Sequence, residues 1–198
     1  MKIITIIPAR GGSKSIPKKN LVPFLGEPLI AKSIQQSLNT NSVSRTIVST
    51  DDSEISQTAK KYGAETIKRP DSISGDEATS ESALKHVLDT LERTENYIPD
   101  IVILLQATSP LRRDNDIENA IKKFTDESAD SLISGSKFED FLFWEKQTTK
   151  WEPVNYNPNN RMRRQDRKPQ FVENGSIYMF KPEILHKFNN RIGGKMIM

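Results

Sequence analysis

The feature that most constrains the fold is an alternation of short apolar, β-branched runs with longer segments of helical periodicity. The strand-like runs are Lys2–Ile7, Arg45–Thr50, Glu65–Ile67 and Ile101–Leu105. The helical segments between and after them are Pro28–Leu38, Ser53–Tyr62, Ser80–Arg93 and Asp114–Phe124. This order predicts an α/β protein with a mostly parallel sheet, helices on both faces, and ligands bound where the strands end.

Composition narrows the class of protein. A chain of 198 residues, with 28% charged and 35% hydrophobic residues, predicts one globular domain. The absence of cysteine excludes disulfides and thiolate chemistry. A net charge of only +3 argues against a nucleic-acid binder. Because the apolar run at the N-terminus is too short for a signal peptide and no segment can span a membrane, we expect a cytoplasmic protein.

The pattern changes from about residue 138 onwards. Four aromatic residues stand among polar ones, namely Phe141, Phe143, Trp144 and Trp151. A Pro- and Asn-rich stretch follows before strand-like Ser176–Phe180. We interpret residues 138–170 as an arm inserted into a single domain, 1–198. The chain stops at Met198 within a strand-like run, so we expect a further C-terminal segment to follow it.

A basic glycine loop follows the first predicted strand. Pro8–Asn20 contains two glycines and several cations but no acidic residue. Glycine allows close approach of backbone N–H groups to phosphate oxygens, and the cations offset phosphate charge. The loop matches neither the P-loop nor the G-x-G-x-x-G pattern. Taken alone, it is equally consistent with a solvated turn.

The loop resembles the N-terminal signature of the acylneuraminate cytidylyltransferases, the family that makes CMP-sialic acids and related CMP-nonulosonic acids. Six further motifs match in order: Ser49–Asp51, Arg69-Pro70, Asp76–Ser80, Leu104–Arg112, Arg163–Asp166 and Asn174–Tyr178. The resemblance covers nearly the whole chain. It implies a Rossmann-like nucleotidyltransferase fold of the nucleotide-diphospho-sugar transferase type.

The resemblance also implies residue roles. Arg10 and Lys19 would hold the triphosphate and be the catalytic pair. Gly11, Ser13 and Asn20 of the same loop would also bind the nucleotide, with Ser13 and Asn20 supplying polar contacts to it or to the triphosphate. Arg69 and Ser80 would border the cytosine and ribose. The residues implied for the sugar acid are Gln106, Arg164, Gln165, Asn174 and Tyr178.

Several of these residues have simpler alternatives. Arg69 before Pro70 is also consistent with a surface turn, Ser80 with a helix cap, and Asn174-Gly175 with a turn before a strand. Gln106 is harder to dismiss, since a polar side chain at the carboxyl edge of a buried strand needs a partner.

Residues 161–168 carry five basic side chains and one acidic one. A solvated face, a phosphate-binding patch and a carboxylate clamp all fit this composition, and we favour the clamp because arginine binds carboxylates in bidentate fashion. In the family an arginine of this segment reaches the neighbouring subunit's sugar site, so Arg164 is the candidate and a homodimer is expected.

The implied reaction joins CTP to the anomeric hydroxyl of a nonulosonic acid with release of pyrophosphate, assisted by Mg²⁺. Relatives place their metal ligands beyond the position of Met198, so the ligands here are unknown. Ser15 stands where many relatives have glycine. The alternatives are a CMP-Kdo-type synthetase and a non-catalytic module that binds CTP or a CMP-sugar. A nucleic-acid-binding module would depend on the 161–168 cluster alone.

Overall fold

The computed structural model describes residues 1–13, 16–138 and 141–198. Lys14 and Ser15, both noted in the basic loop, lie outside the described residues. The strands are β1 (Ile3–Pro8), β2 (Pro23–Phe24), β3 (Glu27–Pro28), β4 (Arg45–Thr50), β5 (Glu65–Lys68), β6 (Ile101–Leu105), β7 (Ser131–Phe138), β8 (Trp144–Gln147), β9 (Lys150–Pro153), β10 (Gln170–Phe180) and β11 (Met196–Ile197). The helices are α1 (Leu29–Leu38), α2 (Ser53–Lys61), α3 (Ser80–Glu95), α4 (Asp116–Asp126) and α5 (Pro182–Phe188).

Seven strands form one sheet in the order β11-β7-β10-β6-β1-β4-β5. β1 pairs in parallel with β4 on one side and β6 on the other, and β4 pairs in parallel with β5. β10 runs antiparallel to β6. The predicted α/β class with a mostly parallel sheet is confirmed, and β1, β4 and β6 are buried on both faces as central parallel strands require.

Two apolar clusters cover the two faces of the sheet. One includes Ile30 and Ile34 of α1 and Ile121 of α4, and the other includes Leu84 and Leu88 of α3. Alternate residues of β1 supply both clusters, because successive side chains of a strand point to opposite faces.

The chain divides into two compact units, residues 1–134 with 175–198, and residues 135–174. The second unit contains the hairpin of β8 and β9, in which Trp144 pairs with Pro153. The Phe138 ring stacks on those of Phe141 and Phe143 at centroid distances of 5.0 and 5.1 Å. The prediction of a single domain with an inserted arm over residues 138–170 stays a prediction.

Several parts of the secondary structure were not predicted, among them the hairpin of β8 and β9. The short hairpin of β2 and β3 and the strand β7 lack a clear alternating pattern. β10 begins at Gln170, six residues before the predicted Ser176. The earlier start was missed because the first five residues of the strand are exposed and mix polar with apolar side chains. Within the described ranges, none of the helices combines the length and the apolarity needed to cross a bilayer.

Candidate active site

A cleft lies at the carboxyl ends of β1 and β6. The chain passes from β1 to β4 and β5 on one side and then places β6 on the other side of β1, so the strand order reverses between these two neighbours. Loops that leave a parallel sheet at such a switch point diverge and leave a crevice for a ligand. The cleft has a volume of ≈ 320 Å³, within the usual range for small-molecule sites.

Six of the predicted site residues line this cleft, although they come from three distant segments of the sequence. They are Arg10, Ser13, Lys19, Asn20, Ser80 and Gln106. Two further lining residues, Ala107 and Thr108, had not been singled out. Both belong to the LLQATSPLR motif, which was the signal that could have identified them.

The glycine loop is held against the start of α2 by two adjacent aspartates. The Gly11 N–H donates to Asp51 Oδ1 at 3.0 Å. Asp52 Oδ1 accepts from the N–H groups of Glu54 and Ile55 and is the N-cap of α2. A Cβ at Gly11 would lie 2.6 Å from Asp52 Oδ2, so the position requires glycine. Gly11 does not line the cleft among the described residues, and its amide is engaged by Asp51 rather than offered to a phosphate.

Asn20 and Lys19 occupy a short 3₁₀ helix, Lys19–Leu21, where the loop ends. The Asn20 side chain is 7% exposed and donates from Nδ2 to the carbonyl oxygen of Arg10 at 3.1 Å. This bond joins the two ends of the loop. Asn20 therefore fixes the loop backbone, and Lys19 beside it reaches the cleft.

Arg10 connects the loop to the segment that precedes α3. Its Nη1 donates to the Gly75 carbonyl oxygen at 2.5 Å, and its Nη2 lies 3.3 Å from an Asp76 carboxylate oxygen. The Asp76 side chain is 48% exposed, and an ion pair so accessible to water is weak. An anion in the cleft can compete with this contact for the guanidinium.

Helix α3 begins at the cleft. Thr79 is its N-cap and accepts from the Ser82 N–H at 3.1 Å, so Ser80 is not the cap that one interpretation assigned to it. Ser80 is the first helical residue and lines the cleft. The N-terminus of a helix of 16 residues presents unpaired N–H groups and a partial positive charge, which favour an anionic ligand.

Arg69 is buried, with 4% of its surface exposed, so it is not part of a surface turn. Its Nε donates to Ser49 Oγ at 3.1 Å and its Nη2 to the Ser49 carbonyl oxygen at 2.7 Å. Burial lowers the pKa of Arg69, an effect that nearby Asp51 opposes. Arg69 is not among the lining residues of the cleft, and its assignment to the cytosine and ribose stays a prediction.

Gln106 directly follows β6 and lines the cleft. Gly175, with φ of +68°, lies beside it: a Cβ at this glycine would be 3.1 Å from Gln106 Oε1. Gly175 lies within β10, so Asn174-Gly175 is not a turn preceding a strand.

Tyr178 lies in the core rather than on the lining of the cleft. It is 4% exposed, pairs with Leu104 in the ladder of β10 and β6, and has the Arg191 guanidinium 4.3 Å above its ring. This is the position of a structural aromatic residue, and the assignment of Tyr178 to the sugar acid stays a prediction.

The other three residues predicted for the sugar acid belong to the second unit. Arg164 and Gln165 lie in the 3₁₀ helix Arg164–Asp166 and line a basic cavity of ≈ 340 Å³ with Lys137, Arg167 and Lys168 among its walls. Asn174 donates from Nδ2 to Ser136 Oγ at 3.4 Å. Their roles stay predictions.

Over residues 1–13, 16–138 and 141–198, the structure contains no group of three or more acidic or imidazole side chains placed to hold a metal ion. The nearest acids already have partners: Asp51 binds Gly11, Asp52 caps α2, and Asp76 faces Arg10. These residues do not by themselves form a magnesium site.

A family model described as cytidylyltransferase matches residues 4–194. A pseudaminic acid cytidylyltransferase of Campylobacter jejuni is 42% identical over 140 residues, which are 70% of this chain and 60% of that protein. An N-acylneuraminate cytidylyltransferase A of Danio rerio is 34% identical over 190 residues, 93% of this chain and 43% of that protein.

Solved structures agree on the fold. A CMP:2-keto-3-deoxy-manno-octonic acid synthetase complexed with CTP superposes with a TM-score of 0.71 at 21% identity, covering 96% of this chain and 78% of that one. The chain belongs to the cytidylyltransferase family. It spans 60% or less of the length of the two curated relatives described above.

Proposed function

We propose that the protein transfers CMP from CTP to the anomeric hydroxyl of a nonulosonic acid and releases pyrophosphate. The observation that carries this proposal is the cleft at the β1/β6 switch point, which brings Arg10, Lys19 and the N-terminus of α3 close to Gln106. One end of the cleft suits a triphosphate, and the adjacent strand end offers a hydrogen-bonding amide. The family match and the names of the relatives point to the same chemistry.

The proposed step is a displacement at the α-phosphorus of CTP. The anomeric oxygen forms a bond to this phosphorus and gives up its proton to solvent, while the bond from the phosphorus to the bridging oxygen breaks and pyrophosphate leaves. Negative charge grows on the leaving group during this step. Arg10 and Lys19 supply positive charge there, and prearranged charges of this kind stabilise a transition state strongly.

The position of the loop determines where these charges act. Asp51 fixes Gly11, and Asn20 fixes the carbonyl of Arg10, so the backbone between β1 and Lys19 is held at both ends. Loop ends that are already anchored need little reorganisation when the nucleotide binds. Mg²⁺ remains a predicted cofactor, and no step is assigned to it because the described residues do not form its site.

The acceptor within this proposal is a pseudaminic-type acid, because the relatives of higher identity carry that name. N-acetylneuraminic and legionaminic acids are the competing acceptors. The Kdo-type alternative is supported by fold likeness alone, at 21% identity. The proposal also includes a homodimer and a cytoplasmic location, where CTP is available. The exposed aromatic residues Phe141, Phe143, Trp144 and Trp151 support the dimer, because an apolar surface of this kind usually has a partner.

Pyrophosphate release tests the proposal. We expect release only when CTP and a nonulosonic acid are both present with Mg²⁺, and a kcat/KM for CTP at least about tenfold above those for UTP, ATP and GTP, since a hydrogen-bonded base pocket discriminates well. Binding of CTP without release would indicate the non-catalytic module instead. Comparable kcat/KM for UTP and CTP would contradict the cytidylyl assignment.

Lys19→Ala should lower kcat by about a hundredfold, the scale of losing one charge-stabilising donor. The matched control is Lys18→Ala, which removes an adjacent lysine that is ion-paired with Glu54 and does not line the cleft. We expect this control to keep most of its activity. Equal activity of the two variants would contradict the role of Lys19.

A further inference from the structure

We propose that Arg112, which lines no part of the cleft, is a positioning residue that holds Gln106 in place for the sugar acid. The identity of the ligand in this inference rests on the proposed function. The contacts of Arg112 that support the inference are independent of that function. Arg112 is 8% exposed and lies six residues after Gln106, beyond the loop that leaves β6.

The guanidinium of Arg112 makes five hydrogen bonds. Nε and Nη2 donate to the Ser176 carbonyl oxygen at 3.0 and 2.7 Å, and Nη2 also donates to the Gln106 carbonyl oxygen at 3.1 Å. Nη1 donates to Ser33 Oγ at 3.0 Å and to Gln36 Oε1 at 2.9 Å. The four acceptors, of which the Ser176 carbonyl accepts twice, are all neutral oxygens. Burial lowers the pKa of Arg112 to about 10, although the nearby Asp116 carboxylate opposes this effect. A buried cation whose hydrogen bonds all go to neutral groups is uncommon, because its desolvation is expensive.

The register of the sheet explains why the charge lies there. The ladder between β6 and β10 ends with Leu105 opposite Ile177. The next residues, Gln106 and Ser176, have their carbonyl oxygens on the same Arg112 nitrogen. The guanidinium therefore joins the two strands just beyond the Leu105–Ile177 pair, and it does so at the residue whose side chain enters the cleft.

Two further contacts complete the positioning of Gln106. Ser33 of α1 donates from its Oγ to the Gln106 carbonyl oxygen at 3.3 Å while accepting from Arg112. On the other side, the Gln106 side-chain oxygen packs against Gly175, the neighbour of Ser176. If Arg112 moves, both the backbone of Gln106 and the glycine that its side chain packs against are released together.

The test uses Arg112→Lys, with Arg113→Lys as the matched control because Arg113 is the adjacent exposed arginine. Lysine keeps the charge but cannot bridge four acceptors through five hydrogen bonds. We expect Arg112→Lys to raise KM for the nonulosonic acid about tenfold, as misplacement of a positioning group does, with KM for CTP changed by less than about twofold. In a Gln106→Ala background the same substitution should have little further effect, because the two residues act as one unit.

Nuclear magnetic resonance of the unliganded chain gives a readout that does not depend on activity. Arg112→Lys should shift or broaden the Gln106 side-chain NH₂ and the Gly175 amide while leaving the amides of α2 unchanged. If Arg112→Lys fails to fold, Ser33→Ala provides the same test with a milder change. It should perturb the same resonances, because Ser33 contacts both Arg112 and the Gln106 carbonyl.

Unchanged Gln106 and Gly175 resonances, equal effects on both substrates, or full additivity with Gln106→Ala would each overturn the inference. Lack of turnover by the wild type would contradict the proposed function, and the resonances would still decide whether Arg112 positions Gln106.

Discussion

Gly11→Ala places a methyl group where the structure has no room for one. The added Cβ would lie 2.6 Å from Asp52 Oδ2 and 2.9 Å from Asp52 Cβ. Rotation of the carboxylate relieves the first contact but not the second, so either the loop or the start of α2 must move. Loss of the Asp52 cap costs about 1 kcal/mol and overpacking about 1–3 kcal/mol. We expect a total destabilisation of about 3 kcal/mol, which lowers the melting temperature of a chain this size by about 6–12 °C.

The assay is thermal unfolding followed by circular dichroism, with Gly12→Ala as the control. Gly12 has no heavy atom within 4 Å of an added Cβ, so its variant should unfold close to wild type. The double variant Gly11→Ala/Asp52→Gly removes both contacts and should be more stable than Gly11→Ala alone, since glycine is tolerated at an N-cap. Equal melting temperatures for Gly11→Ala and Gly12→Ala would refute the close-packing argument. So would additivity in the double variant.

The remaining predictions concern a buried arginine, an acid-sensitive ion pair and the assembly. Arg69→Met should weaken CTP affinity about tenfold, and titration calorimetry showing unchanged affinity would contradict its nucleotide role. The lost hydrogen bonds to the charged guanidinium should lower stability by about 2 kcal/mol and no more, because the Ser49 carbonyl keeps the Ala9 N–H as a partner. The hydrogen bond from Lys181 holds the pKa of Asp130 below its ordinary value of 3.8, so this stabilisation is present above that pH and lost as the pH falls through the lower folded value. Acid unfolding should therefore be less steep in Asp130→Asn, and identical acid profiles would contradict this. Mixing inactive Lys19→Ala with inactive Arg164→Ala subunits should restore activity if Arg164 acts across a dimer, since one of the two sites in a heterodimer then keeps both residues. Native mass spectrometry must show that heterodimers form. Heterodimers that stay inactive would place Arg164 in its own subunit's site.

The central parallel strands and their helices follow from local patterns in the sequence. Arg45–Thr50 and Ile101–Leu105 have the bounds predicted for them, because an apolar β-branched run has few other places in an α/β fold. Asp51 and Asp52 both precede α2 in the sequence, and aspartate is favoured as an N-cap. Only Asp52 fills that position, since a helix has one N-cap and Asp51 binds Gly11 instead.

Contacts between distant segments could not be predicted in this way. Gly11 suggested an amide for phosphate, yet its requirement for glycine comes from Asp52, 41 positions later in the chain. Arg112 was recognised only as the last residue of the motif Leu104–Arg112. Its buried contacts with α1 and β10 depend on the register of the sheet, which the sequence does not specify locally. Tyr178 was assigned to the sugar acid because of its motif, and strand alternation directs its side chain into the core. Its role toward the sugar acid stays a prediction.

The measurement that tests the account most directly is ³¹P nuclear magnetic resonance of the protein incubated with CTP, Mg²⁺ and pseudaminic acid. The account predicts a new phosphodiester signal from the CMP-sugar and an equal amount of pyrophosphate, with both signals suppressed by Lys19→Ala and retained in Lys18→Ala. Folded protein that leaves CTP intact with pseudaminic, legionaminic and N-acetylneuraminic acids, or that converts Kdo in their place, would contradict it.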